Sequence, residues 1–303
     1  AHLVDNRPEF RVWAVAAGDG QLSRGGKSIG VSGGWADLFT KASPEEMSEY
    51  SARLAVDKLS APYADGGTFT VVMDPEIVGL LCHEAIGHTV EADFVLSGSI
   101  AAGKVGKLVA AESVTMCDSG VSEIQPFAAG SIAFDDEGTP AGRTVLIENG
   151  VLRGYLHNRE TAARFEVEPT GNARAWEYGD EPIIRMRNTY IQPGGEEVEA
   201  LLAGVKDGYY FKGAGGGQAD ANAEFMFGAM EAYRVRDGKV GHLCRDATLS
   251  GQAFEVLKSV DGLGNDFEWA LGSGHCGKGQ PAKVDAGGPS IRCRVTVAGK
   301  QGE

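Results

Sequence analysis

The 303-residue sequence predicts an α+β fold in which a largely antiparallel, strongly curved sheet wraps around one buried helix. Three observations carry this reading. Asn149-Gly150 and Asp237-Gly238 each separate two strand-like runs, and such dipeptides supply the positive φ angles of a two-residue hairpin turn. Hairpins outnumber strand-helix-strand crossovers, which favours antiparallel pairing. The stretch holding Ile77, Val78, Leu80, Leu81, Ala85 and Ile86 is apolar on all sides, so a helix there must be enclosed by other elements.

Taken in order, Phe10 to Ala16 mixes alternation with an apolar run and ends at Gly18-Asp19-Gly20, the pattern of an opening hairpin. Ser43-Pro44-Glu45-Glu46 combines a capping hydroxyl, Pro at the first helical position and Glu three residues after the cap; Met47, Tyr50 and Leu54 follow at helical spacing, giving a helix over about 44 to 60. Thr68 to Met73 is β-branched and aromatic, a strand, and Asp74-Pro75 caps the apolar helix that follows. Ser97 to Gly106 is rich in small residues and reads as a loop near that helix, with a strand expected at Ser113 to Met116. The hairpins place strands at Arg143 to Ile147 and Val151 to Leu156, then at Phe225 to Val235 and Val240 to Leu243. Helices are expected near 196 to 206 and 252 to 260, and Ser290 to Val297 alternates as a closing strand.

The apolar helix contains His83, Glu84 and His88. Burying such groups is costly unless they are paired or bound to a metal. The bland explanation is a pair of hydrogen-bonded core histidines beside an incidental acid. The Asp-Pro cap, the enclosed helix and the adjacency of His and Glu favour a metal site, with Glu84 placed to take a proton from water. The common zinc-protease helix spaces its histidines four residues apart. Here the spacing is five, and five steps of an ordinary helix leave two side chains about 140° apart, against about 40° for four. A π-bulge or local unwinding must absorb the extra residue, and Gly87 is the position best able to yield.

A catalytic zinc takes three protein ligands and keeps one position open. By chemistry the third ligand is one of Glu91, Cys117, His157, His242, Cys244, His275, Cys276 or Cys293. Cys276 lies in a glycine-rich stretch, Gly272 to Gly279, where Lys278 is placed to lower a thiol pKa. Five cysteines without CxxC spacing disfavour a disulfide framework or a structural zinc ribbon. Gly213 to Gln218 lacks the Lys-Ser/Thr ending of a nucleotide loop and suits close backbone packing or an edge for extended peptide. Asp135-Asp136-Glu137 reads as an acidic turn. The formal charge of −14 opposes nucleic-acid binding. With no apolar run of spanning length and no signal-peptide pattern, neither a membrane span nor secretion is expected, and a soluble cytoplasmic protein is.

The ordered motifs His83-Glu84-Ala85-Ile86-Gly87-His88, Asp135 to Pro140, Ile147 to Gly150, Pro169-Thr170-Gly171-Asn172, Asn188-Thr189-Tyr190, Gly215 to Gln218, Gly264-Asn265-Asp266 and Cys276-Gly277-Lys278 resemble the TldD/PmbA family, and within it the TldD-type metallopeptidase subunit. The resemblance implies zinc (Zn2+) held by His83, His88 and Cys276, with Glu84 as general base. It further implies hydrolysis of unfolded or extended peptides inside a dimer cavity, formed by a homodimer or by a heterodimer with a PmbA-type subunit. Residues 1–62 then form a lead-in hairpin and capped helix, the remnant of an N-terminal region, and 63–303 the metallopeptidase domain. His275 departs from the small apolar residue usual there, a change that bears on the zinc or on substrate. A non-catalytic peptide-binding or assembly subunit of a protease complex is the alternative.

Overall fold

A computed structural model describes residues 5–18 and 20–299. Strands β1 (Glu9–Gly18) and β2 (Gln21–Gly30) form the opening hairpin; Asp19 of its turn lies outside the described residues. After the single turn α1 (Trp35–Leu38), α2 (Pro44–Ser60) starts where the capping box places it: Glu46 N donates to Ser43 Oγ, and Ser43 N donates to the Glu46 carboxylate at 2.8 Å. The helix packs on both strands of the hairpin.

Strand β3 (Gly67–Met73) leads into α3 (Pro75–Leu80), whose N-terminus is closed by Asp74 Oδ1 accepting from Ile77 N at 3.0 Å. The helix then widens into a π-helix, Leu81–Gly87, and tightens to a 3-10 turn, His88–Val90, before α4 (Ala92–Leu96). Next come β4 (Met116–Ser119), β5 (Arg143–Glu148), β6 (Val151–Leu152), α5 (Arg159–Phe165), β7 (Ala173–Arg174), β8 (Ile183–Ile184) and β9 (Asn188–Ile191). Then follow α6 (Val198–Ala203), β10 (Asp207–Ala219), β11 (Glu224–Arg236), β12 (Lys239–Cys244), β13 (Thr248–Gln252) and α7 (Ala253–Lys258). The chain closes with β14 (Gly262–Leu263), β15 (Glu268–Trp269), β16 (His275–Gly277), β17 (Pro281–Lys283), β18 (Asp285–Gly288) and β19 (Ile291–Ala298).

Both hairpin turns hold the left-handed backbone that their residues favour: Asn149 and Gly150 at φ 48° and 78°, Asp237 and Gly238 at 48° and 75°. The strand expected at Ser113 to Met116 begins only at Met116, because the preceding residues serve the first of these turns. Asn149 N donates to Thr115 Oγ1 and Gly150 N to Val114 O.

The fold is α+β, but its strands are not one curved, largely antiparallel sheet. Strands β10, β3, β19, β13 and β11 pair in that order, and β11 returns to β10, closing a five-stranded barrel in which only β10 and β3 are parallel. A separate six-stranded sheet runs β15-β18-β9-β4-β5-β6, with β18 and β9 parallel. Among the elements that no expectation covered is β10. Its glycine run breaks the alternation that signals a strand, yet a bulge between Ala214 and Gly217 lets it pair with β11 at both ends while β3 takes its other edge only from Gly208 to Phe211. Glycine is needed there, since a Cβ on Gly215 would stand 2.7 Å from Gly228 O. The histidine helix packs between the barrel, through β10, and the second sheet, through β9 and β18; Ile77, Val78, Leu81, Ala85 and Ile86 are fully buried. Among the described residues no helix is long and apolar enough to cross a membrane.

Candidate metal centre

The five-residue spacing becomes one turn once the helix widens. His88 N donates to His83 O, the i to i+5 bond of a π-helix, so the two imidazoles share a face with centroids 5.1 Å apart. Gly87 is not the yielding residue: its φ of −54° and ψ of −50° are ordinary right-handed helix. Glycine is required for space, since a Cβ there would collide with Met186 Sδ and stand 3.0 Å from Cys82 O. The side chain of Met186, from the segment leading into β9, fills the groove that Gly87 leaves.

Cys276 arrives from the hairpin β16–β17, where it stands opposite Ala282. This two-stranded sheet joins neither the barrel nor the six-stranded sheet. The nearly fully buried Arg185 donates to the carbonyls of Cys276 and Gln280, and Arg11 of β1 donates to Ser273 O. Cys276 Sγ then lies 3.3 Å from His88 Nε2, and one ligand atom from each of His83, His88 and Cys276 falls within 4.8 Å of the other two. No other such cluster of His, Cys, Asp or Glu occurs among the described residues.

Burial opposes ionisation of the Cys276 thiol, but hydrogen bonds and charge from His83 and His88 outweigh it and bring its pKa down to about 4. Burial also opposes a charged His88, while Cys276 and Glu91 push its pKa up to about 10. These shifts favour a thiolate beside a protonated imidazole, and a dication bound there would take the place of the His88 proton. Two imidazoles and one thiolate form a zinc-type donor set that leaves a fourth position open. His83 Nδ1, buried with no hydrogen-bond partner, fits the same reading.

The open side faces a cavity of about 380 Å3 lined by Glu84, His88, Phe94, Ser97, Ser99, Ala219, Asp220, His275 and Cys276, among others. Glu84 Oε2 lies 3.9 Å from His88 Nε2, and about a third of the Glu84 side chain is exposed to this cavity. Of the predicted site residues, His83, Glu84, His88 and Cys276 thus come together.

The remaining third-ligand candidates lie elsewhere or act differently. Cys117 accepts from Arg143 Nε at 3.3 Å, His157 Nδ1 is 3.2 Å from Thr161 Oγ1, Cys244 and Cys293 are core residues, and His242 is exposed on β12. His275 lines the cavity with Nδ1 3.4 Å from Glu9 Oε1. Glu91 is fully buried and bonds His88 Nδ1 at 2.9 Å instead of joining the ligand cluster. Lys278 pairs with Glu91 and Asp93, so the imidazoles rather than Lys278 depress the thiol. Asp135 is consumed by the backbone, its Oδ1 accepting from Thr139 N at 2.8 Å and its Oδ2 from Ala173 N at 3.0 Å. Sequence reasoning passed over Arg185 and Asp93; the i, i+3 spacing of His88 and Glu91 was the one local signal for the pairing found.

Residues 66–299 match the family model described as the PmbA/TldA metallopeptidase C-terminal domain. The chain belongs to the TldD/PmbA family. A family relative from Methanothermobacter thermautotrophicus, named metalloprotease, is 42% identical over 300 residues, covering 98% of this chain and 64% of its own length. The zinc metalloprotease TldD homolog of Saccharolobus solfataricus is 34% identical over 245 residues, 80% of this chain and 54% of the relative. The crystal structure of a Thermotoga maritima protein described as a candidate modulator of a DNA gyrase superposes with a TM-score of 0.77 at 26% identity, covering 96% of this chain and 62% of that one. The chain therefore spans less than two thirds of the length of these proteins.

Proposed function

We propose that this chain carries the catalytic centre of a zinc-dependent peptidase acting on unfolded or extended peptides, with His83, His88 and Cys276 as the zinc ligands and Glu84 as the general base. The observation that carries the proposal is the convergence of two imidazoles and a thiolate at a cavity into which Glu84 projects. Relatives named metalloprotease, one of them a zinc metalloprotease, support it.

When bound, zinc supplies Lewis acidity toward a peptide carbonyl and toward water. Glu84 takes the proton from the attacking water and delivers it to the departing amine nitrogen. The extended substrate is suggested by β10: beyond Phe211 it has no β3 partner, Gly215 to Gln218 are exposed, and Ala219 at its end lines the cavity. Gly213 N and Ala214 N donate to Asp74 and Glu76, so a peptide pairing along the exposed stretch from Gly215 onward would run into the metal centre. The family resemblance adds that the cavity is completed in a dimer, with a second copy or a PmbA-type subunit, and that 63–303 is the peptidase domain.

Glu84→Gln is expected to retain stoichiometric zinc while its cleavage of an unstructured peptide falls by roughly 10²- to 10⁴-fold. Metal analysis and peptide digestion on both proteins test this; undiminished cleavage would remove Glu84 from the role. Stoichiometric zinc without cleavage by the wild type, alone or with a PmbA-type partner, would instead mark a peptide-binding subunit.

A further inference from the structure

Glu91 is a fully buried carboxylate that contributes no atom to the ligand cluster. Its Oε2 lies 2.9 Å from His88 Nδ1 and 3.1 Å from Lys278 Nζ, while its Oε1 is buried without a hydrogen-bond partner. An uncompensated carboxylate in such a place would be strongly unfavourable, so His88 and Lys278 account for its being tolerated. Lys278 Nζ also donates to Asp93 Oδ1 at 2.8 Å and to Ile184 O at 3.0 Å, and it stands 4.4 Å from the centroid of the Phe94 ring.

Chain connectivity gives these contacts their meaning. Glu91 follows His88 by three residues, and Lys278 follows Cys276 by two. The Glu91–Lys278 pair therefore bridges the two segments that bring ligands to the centre, alongside the direct contact between Cys276 and His88. The β16–β17 hairpin has no strand ladder to either main sheet, so side chains such as Arg185, Lys278 and the Lys283 paired with Glu9 dock it.

We propose that Glu91 and Lys278 are positioning residues for the metal centre: Glu91 holds the Nδ1 proton of His88 so that Nε2 faces Cys276, and Lys278 clasps the cysteine hairpin to the histidine helix. A carboxylate behind a ligating histidine fixes its tautomer and ring orientation, and loss of such a partner weakens metal binding. Lys278 adds a second effect by keeping the thiolate within reach of both imidazoles. This inference rests on the zinc-ligand reading given above.

The test measures zinc affinity by chelator competition and records the spectrum of the cobalt(II)-substituted full chain for wild type, Glu91→Gln, Lys278→Met and Lys278→Arg. Glu91→Gln and Lys278→Met are expected to weaken zinc binding by roughly 10- to 100-fold. Lys278→Arg, which keeps the charge, should restore most of that loss. The thiolate-to-cobalt charge-transfer band should persist in Glu91→Gln and weaken in Lys278→Met, whose hairpin keeps Arg185 and Lys283 but loses its tie to the histidine helix. Unchanged zinc affinity in the folded Met variant overturns the clasp. So does a loss of affinity that merely tracks the thermal stability of the metal-free variants, with the cobalt spectrum unaltered. If Glu91→Gln does not fold, the Met and Arg pair decides alone. A wild type that binds no stoichiometric zinc sinks the zinc-ligand reading itself, an outcome separable from wild-type binding with indifferent variants.

Discussion

His88 and Cys276 define each other's charge. The thiolate raises the imidazole's pKa well above its usual range, and the imidazoles lower the thiol's well below its own, each against the effect of burial. A bound dication needs the thiolate that is already present and a neutral imidazole that is not, so binding between the two shifted pKa values releases the His88 proton. Zinc affinity is therefore expected to rise about tenfold per pH unit between pH 6 and 9, the dependence for one displaced proton. Calorimetry in buffers of different ionisation enthalpy checks it by counting the protons released. Cys276→Ala removes both a ligand and the main partner that raises His88, so affinity should collapse and the proton release shrink. At this scale, His83, Glu84 and His88 were legible because polar side chains stood where a buried helix carries hydrocarbon. Cys276, in its glycine-rich stretch, is the most suggestive of several candidate third ligands by chemistry, and the family resemblance raises it above the other thiols. The Glu91–Lys278 pairing was hidden because its partners are far apart in the chain and meet only when the hairpin docks.

The histidine element depends on its groove and its cap. The spacing of five demanded a widened helix, and the π-helix over Leu81–Gly87 provides one, but the role expected of Gly87 was mistaken. Backbone freedom is legible in a glycine's identity; the neighbour that excludes a methyl group is not. Gly87→Ala is expected to cost about 1–3 kcal/mol through overpacking against Met186, together with a loss of zinc affinity, as measured by urea denaturation and metal titration. At the other end, burial above all, and then Glu76, raises the Asp74 carboxyl to about 7 from 3.8. The folded state thus holds a proton that the unfolded chain has lost between those values, and stability falls as pH rises through that window. Asn also caps a helix but can accept from only one of Ile77 N and Gly213 N, so Asp74→Asn should lose one of these bonds yet flatten this part of the pH dependence, its Tm comparing better with the wild type at pH 8 than at pH 5.

The two large sheets hold the histidine helix between them, and a buried ion pair anchors the second of these sheets. Asp118 of β4 and the fully buried Arg187, just before β9, meet at 2.7 Å, and the carboxylate also accepts from Arg187 N, Asn172 Nδ2 and Thr189 Oγ1, each at 2.9 Å. Arg187→Met would leave Asp118 without its cation and is expected to destabilise the protein by about 3–5 kcal/mol in chemical denaturation.

Local chemistry determines much of this architecture without reference to any tertiary contact. The capping box at Ser43, the Asn149-Gly150 and Asp237-Gly238 turns, and the apolar helix beginning at Asp74-Pro75 each depend on neighbouring residues, so the sequence alone determined them. It also determined that His83, Glu84 and His88 share one buried element and that an ordinary helix cannot align the two histidines. Tertiary structure decided that β10 would close a barrel, because its glycine-rich bulge has no strand-like alternation and gains its partners only from β3 and β11. It likewise decided which thiol would meet the histidines. That meeting depends on docking a hairpin nearly two hundred residues away, through Arg185 and Lys278, which no local pattern encodes.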